Sequence, residues 1–154
     1  MAVTAGPVLN STAMAQSEKL NKAQYETLAA FRYALRKFIH FSEAAAQTAG
    51  ITPQQHQALL AIKGFPGRDQ VTVSELAERL QLRHHSVVGL IDRLVTEKFV
   101  VRAPSKEDGR QVMIRLTRHG EQILAKLSTI HRAQLKRLGP ELGLLFERLG
   151  GPND

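Results

Sequence analysis

The chain is predicted to be mainly α-helical with one small β-hairpin. Three observations predict it. Apolar residues recur every three and four positions over several long stretches, one short stretch alternates instead, and helix-capping signals stand between the periodic segments. At 154 residues there is room for one domain, or one domain plus an oligomerisation appendage, which excludes two catalytic domains. Hydrophobic residues at 43% and charged residues at 23% are near the globular average, so most of the chain should fold around a core.

The elements follow in order. Met1 to Gln16 carries no charge and is rich in Ala, Thr and Ser; without a basic n-region or an apolar h-region it reads as a disordered leader, not a signal peptide. From Ser17 to about Thr48 there is no Gly or Pro, and Leu28, Phe31, Leu35, Phe38, Ser42 and Ala45 repeat at helical spacing. A helix of that length would reach ~45–50 Å, longer than a domain of this size, so part of it is expected to dimerise. Gly50 ends it. Thr52, Pro53 and Gln55 form a capping box with Pro at the first helical position, opening a helix to about Lys63. Gly64 to Gly67 is a loop by composition, and Thr72 with Glu75 is a second capping box before a short helix whose face is Val73, Leu76, Ala77 and Leu80. After Gln81 and Leu82 a further helix turns Val87, Leu90, Ile91 and Leu94 inward. Two short helices across a brief turn make a helix-turn-helix.

The period then changes. Phe99, Val100 and Val101 are β-prone, Pro104 to Gly109 is a polar loop, and Val112, Ile114 and Leu116 alternate with Met113 and Arg115, giving a hairpin. Thr117 caps another long helix with Ile123, Leu124, Leu127, Ile130 and Leu138 on its face. Gly139 and Pro140 are expected to break it before a last helix over 141–149, and Gly150 to Asp154 reads as a frayed tail. The fold class is therefore a winged helix-turn-helix domain plus an α-helical dimerisation domain: a leader at 1–16, a dimerisation region at 17–50 and 118–150, and the winged domain at 51–117.

Charge narrows the function. The 21 Lys+Arg against 14 Asp+Glu leave +7, which points to a polyanion, either nucleic acid or an anionic membrane surface. The excess is densest in 99–120, at +3, while 71–98 is neutral. A basic hairpin is not the continuous Lys/Arg helix face that a membrane-surface segment needs, and no stretch approaches the ~20 apolar residues of a membrane span. The absence of cysteine removes disulfides, thiolate nucleophiles and thiol switches, and fits a reducing, cytoplasmic setting.

Residues 72–120, TVSELAERLQLRHHSVVGLIDRLVTEKFVVRAPSKEDGRQVMIRLTRHG, resemble the winged helix-turn-helix core of the MarR family of bacterial transcriptional regulators. The likeness rests on the helix-turn-helix, on Asp108 and Arg110 at the hairpin tip, and on Leu116, Thr117 and Gly120 opening the next helix. With the helix order it covers about 17–150. The resemblance implies a homodimer interlocked through its first and last helices, a recognition helix in the major groove and a wing in the adjacent minor groove. It also implies, for many members, repression relieved by a small, often aromatic, ligand.

The residues agree with that implication. On the recognition helix Arg83, His84, His85, Ser86, Val88, Gly89 and Arg93 point outward; Arg83 suits a guanine edge, the histidines and Ser86 suit bases or phosphates, and Val88 a thymine methyl. Gly89 costs ~1 kcal/mol relative to Ala in mid-helix, for close approach either to DNA or to another helix. On the wing, Arg110 suits a narrow minor groove, Arg102, Lys106 and Arg115 suit phosphates, and Asp108 either orients arginines, as the resemblance implies, or simply forms the turn. Two departures from the family pattern stand out. Arg83 replaces the usual capping residue, so a cap is expected to be missing, and Gly109 replaces a basic residue beside Arg110.

For a ligand, Tyr33, Arg36 and His40 share one side of the first helix and His56 begins the second, a set suited to an aromatic carboxylate. The rival is dimer packing for Tyr33 and His40 with a solvated Arg36. An enzyme is not expected: His85, Ser86 and Asp92 diverge by ~100° per residue along a helix, no nucleophile elbow, Walker loop or dinucleotide fingerprint occurs, and no cofactor is implied. The six histidines, His40, His56, His84, His85, His119 and His131, show no His-x-x-x-His pair, which leaves a metal-responsive regulator of this fold as one alternative and non-sequence-specific DNA binding as the other.

Overall fold

The computed structural model describes residues 19–150, so the expected leader at 1–16 and residues 151–154 of the tail lie outside the described residues. Helix α1 (Lys22–Thr48) begins later than the composition suggests. Asn21 caps it, its side chain accepting from the Gln24 N–H at 2.9 Å while Gln24 Oε1 accepts from the Asn21 N–H at 2.8 Å. This reciprocal pair satisfies two donors that the helix itself leaves open. The Thr52–Gln55 box opens α2 (Pro53–Lys63) in the same way, and the Thr72–Glu75 box opens α3 (Val73–Leu80).

A two-residue strand, β1 (Gln70–Val71), precedes α3. After α4 (His84–Thr96), β2 (Val100–Pro104) and β3 (Val112–Leu116) form the hairpin. The sheet is antiparallel with β3 in the centre, β2 on one side and β1 on the other, registered Val71 to Ile114 and Arg102 to Ile114. A two-residue strand has no period to read, which is why β1 is silent in the sequence.

Helix α5 (Arg118–Gly150) is continuous and carries Pro140 inside it, which corrects the expected break at Gly139-Pro140. An interior proline removes one backbone hydrogen bond and costs ~3 kcal/mol. Packing on both sides of Pro140 offsets that cost: Leu138 and Leu145 are buried, and Phe146 meets Phe31 of α1 edge to face at 5.1 Å.

One core holds the head together. Leu59 and Ile62 of α2, Leu76 of α3, Leu90, Ile91 and Leu94 of α4 and Ile114 of β3 are all fully buried. The same cluster includes Ala46 of α1 and Leu124 and Leu127 of α5, so the inner ends of both long helices are rooted in the core of the winged region. Their outer portions pack on each other and expose Tyr25, Leu28, Leu144 and Phe146.

The α5 root depends on one glycine. Thr117 Oγ1 accepts from the Gly120 N–H at 3.0 Å and donates its one hydrogen to the Lys98 carbonyl at 2.6 Å, with the Phe99 carbonyl next at 3.1 Å, both just before β2. A Cβ on Gly120 would lie 2.1 Å from the Phe99 carbonyl oxygen, so only glycine permits this approach.

Candidate nucleic-acid interface

The turn of the helix-turn-helix is made without glycine. Gln81 adopts the left-handed conformation, φ 52°, and the Leu82 N–H reaches back to the Ala77 carbonyl at 3.0 Å, closing α3 while Leu82 packs against the core. This places Arg83 at the N-cap of α4 with no side-chain hydrogen bond to the helix, as the missing cap predicts. The first N–H groups of α4 and its partial positive charge therefore face outward among exposed Arg83, His84, His85 and Ser86.

Val87, Leu90, Ile91 and Leu94 are buried, which fixes the rotation of α4 and leaves Arg93 exposed and Val88 and Gly89 half-buried. A Cβ on Gly89 would meet only the Arg93 side chain, at 3.8 Å, so packing against another helix of this chain does not explain that glycine.

In the wing, Ser105 Oγ accepts from the N–H groups of Glu107 and Asp108 at 3.2 and 3.3 Å, and Asp108 Oδ1 accepts from the Arg110 N–H at 3.0 Å. Asp108 thus holds the turn through main chain, and among the described residues it pairs with no arginine side chain, unlike the arginine-orienting role the resemblance implies. Lys106, Gly109 and Arg110 are exposed at the tip, and Arg115 is exposed on β3. Arg102 is paired with Asp92 of α4. Its charge ties the wing to α4, whereas Lys106 and Arg110 stay exposed.

A second pair was not legible in sequence. Arg68, in the loop before β1, binds the Glu75 carboxylate, with one contact at 3.0 Å, and stacks over Phe65 at 4.4 Å, on which Arg79 also stacks at 5.0 Å. The Arg68 hydrogen bonds, followed by those from Thr72, hold the Glu75 carboxyl down at about 2. Only the capping role of Glu75 had a local signature.

The four proposed ligand residues do not converge in one chain. Tyr33, Arg36 and His40 lie on an exposed side of α1, with the Lys37 ammonium over the Tyr33 ring at 4.7 Å. His56 is buried against His131 of α5, among the buried side of α1 that carries Ser42. The helical spacing of the first three was readable; that His56 belongs to the opposite face was not, because it depends on how α2 packs. His119 stacks on Phe99 at 4.9 Å. Among the described residues no three His, Cys, Asp or Glu side chains are grouped to hold a metal, and no helix is long and apolar enough to cross a membrane.

Residues 49–111 match the model of the MarR family. The chain is 37% identical over 73 residues to an uncharacterised HTH-type transcriptional regulator, YfiV, of Bacillus subtilis, covering 45% of this chain and 46% of that one. It spans about half the length of the curated relatives it matches. Its fold is similar to AbsC, a MarR family transcriptional regulator from Streptomyces coelicolor, at a TM-score of 0.65 and 23% identity over 80% of this chain and 82% of that one. It is also similar to a Staphylococcus aureus MepR mutant solved bound to an oligodeoxyribonucleotide, at a TM-score of 0.59 and 23% identity over 77% and 83%. These relatives are regulators, not enzymes. The segment that matches the MarR family model runs from the end of α1 to the tip of the wing, and the fold of the described residues as a whole is similar to that of AbsC.

Proposed function

We propose that the protein is a sequence-specific DNA-binding transcriptional regulator, a repressor acting as a homodimer on a pseudo-palindromic operator with half-sites ~34–36 Å apart. The observation that carries this reading is the outer face of α4. An uncapped helix N-terminus is ringed by exposed Arg83, His84, His85 and Ser86 and backed by a helix whose other side is fully buried. Such a face offers donors to base edges and phosphates from a rigid element. The exposed Lys106 and Arg110 of the wing add cations for the backbone and the minor groove.

The dimer is supported by apolar side chains that one chain leaves in water: Tyr25 is 58% exposed, Leu144 57% and Phe146 58%, all on α1 or α5. The solved oligonucleotide complex of the MepR mutant supports DNA as the partner for this fold. Release by a small organic ligand of the aromatic-acid class completes the proposal. Tyr33, Arg36 and His40 would meet such a ligand only if a second surface covers them, as a dimer partner would. Unchanged effector-induced release in Arg36→Ala and His40→Ala would remove them from that role.

Selection of a binding site from random duplexes, followed by competition gel shifts, tests the main reading. A selected palindrome should outcompete random DNA by at least ~1,000-fold. Arg83→Ala should relax base preference, while Arg110→Ala should weaken all duplexes alike. A specificity ratio near one would leave a non-specific DNA-binding protein instead, and a monomer at micromolar concentration in ultracentrifugation would remove the palindrome.

A further inference from the structure

Three helices meet on a pair of imidazoles where the winged head joins the long helices. His56 of α2 is 2% exposed, and its Nδ1 is buried without a hydrogen-bond partner among the described residues. Its ring lies 4.8 Å from that of His131 of α5, centroid to centroid. His131 is held on both sides, with Nδ1 2.7 Å from the Leu127 carbonyl and Nε2 2.7 Å from Ser42 Oγ of α1. A carbonyl oxygen only accepts, so Nδ1 of His131 carries the hydrogen and donates, and Nε2 of the neutral ring accepts from the Ser42 hydroxyl. The edges of Phe38 and Phe41 enclose His131 at 6.0 and 5.6 Å.

Among the described residues the seam holds no charge to balance a second proton. On the elements packed against α2, Glu75 is engaged by Arg68, Glu97 by Gln55 at 2.7 Å, and Glu121 by Lys63 at 2.6 Å. His40 and Glu43 of α1, Glu78 and Arg79 of α3, Arg93 and Lys98 around α4, and Arg115 of β3 are exposed. Among the described residues His131 is the titratable group that acts on His56, and it is of like charge when protonated.

We propose that the His56–His131 pair is a proton-sensitive latch between the winged head and the helical arms, closed while His56 is neutral and opened when His56 takes up a proton. A protonated His56 has two N–H donors, and the closed seam offers its Nδ1 no acceptor. Relief requires water or another acceptor at Nδ1, which the packing of α2 on α5 and α1 excludes in the closed seam. Burial first, and His131 second, hold the His56 pKa below the ordinary 6.5, so the folded chain binds fewer protons than the unfolded one on the acid side of that value. The latch therefore contributes its full stability above about pH 6.5 and loses it as the pH falls further. Its effect on DNA rests on the regulator reading above: a loosened seam frees the two heads from the spacing set by the arms and weakens palindrome binding.

The test uses the full chain. Histidine ring resonances are followed by NMR from pH 8 to 4.5, thermal unfolding is measured over the same range, and affinity for a selected duplex is compared between the native chain and His56→Phe. Phe fills the aromatic seam and cannot titrate. The His56 ring should titrate below the ordinary 6.5, and the melting temperature of the native chain should fall on acidification relative to His56→Phe. Any pH dependence that the two proteins share cancels, so the latch is read as the difference between them, up to about tenfold per pH unit for one linked proton. A His56 ring that titrates at or above 6.5, or superimposable melting curves for the two proteins, would overturn the latch. If His56→Phe does not fold, the native-chain ring titration decides. If neither protein binds any duplex at any pH, the regulator reading fails while the NMR and melting results still decide the latch.

Discussion

The winged head and the helical arms use much the same aliphatic residues and complete them differently. In the head, Leu59, Ile62, Leu76, Leu90, Ile91 and Leu94 are removed from water within one chain, and the helices α2 and α3 open on closed capping boxes. In the arms, α1 is equally well capped at Asn21, yet Leu28, Tyr25, Leu144 and Phe146 remain exposed. Local stop and start signals are thus no guide to whether an element is complete. Burial is the discriminating quantity: a head with its core closed holds the outer face of α4 rigid, whereas arms with open apolar faces have area left for another surface. The two regions meet at Ala46, Leu124 and Leu127, which belong to the core of the head.

The sharpest way to break this comparison is at the junction. Gly120→Ala puts a methyl group 2.1 Å from the Phe99 carbonyl and should cost about 3 kcal/mol or more, because backbone rather than a flexible side chain must move. Urea unfolding checks it, and a loss under 1 kcal/mol would show that α5 can part from β2 cheaply and that the head does not need this root.

A smaller effect is expected at the head's caps. Thr72→Ala should cost about 1 kcal/mol through the lost cap of α3. Glu75 adds a pH signature. Its carboxyl is held down at about 2, below the ordinary 4.5, so its contribution is present above pH 4.5 and is lost as the pH falls from there toward 2. In Glu75→Gln this acid-side loss should be reduced in stability curves; an unchanged curve would mean that the Arg68 pair is not formed in solution.

The smallest change separates stability from reading. Gly89→Ala meets no atom closer than 3.8 Å and should stabilise the head by up to ~1 kcal/mol in melting experiments. Its DNA affinity should fall if backbone approaches the duplex there. A variant that is both more stable and binds as before would reassign Gly89 to neither role.

Much of the fold was legible because its signals act over three or four residues: the Thr52 and Thr72 boxes, the stripe Val87, Leu90, Ile91, Leu94, and the alternation in Val112 to Leu116. The exposed face of α4 followed from that stripe, since burying one side of a helix determines the other. The missing cap at Arg83 was visible as a departure from the family pattern.

Other features belong to tertiary structure. Pro140 stays helical because Leu138 and Leu145 are buried on either side of it and Phe146 meets Phe31 of α1 edge to face, contributions that no local preference contains. Gln81 and Lys98 take left-handed conformations without glycine, at 52° and 63°, because Leu82 and Phe99 beyond them are drawn into the core. Arg102 is turned from a free cation into the partner of Asp92, and His56 from a ligand candidate into the neighbour of His131. Helical period and caps are local free energies, written in residues a turn apart. Which side chains share a buried seam depends on segments 75 residues apart in the case of His56 and His131, and only the packed chain brings them together.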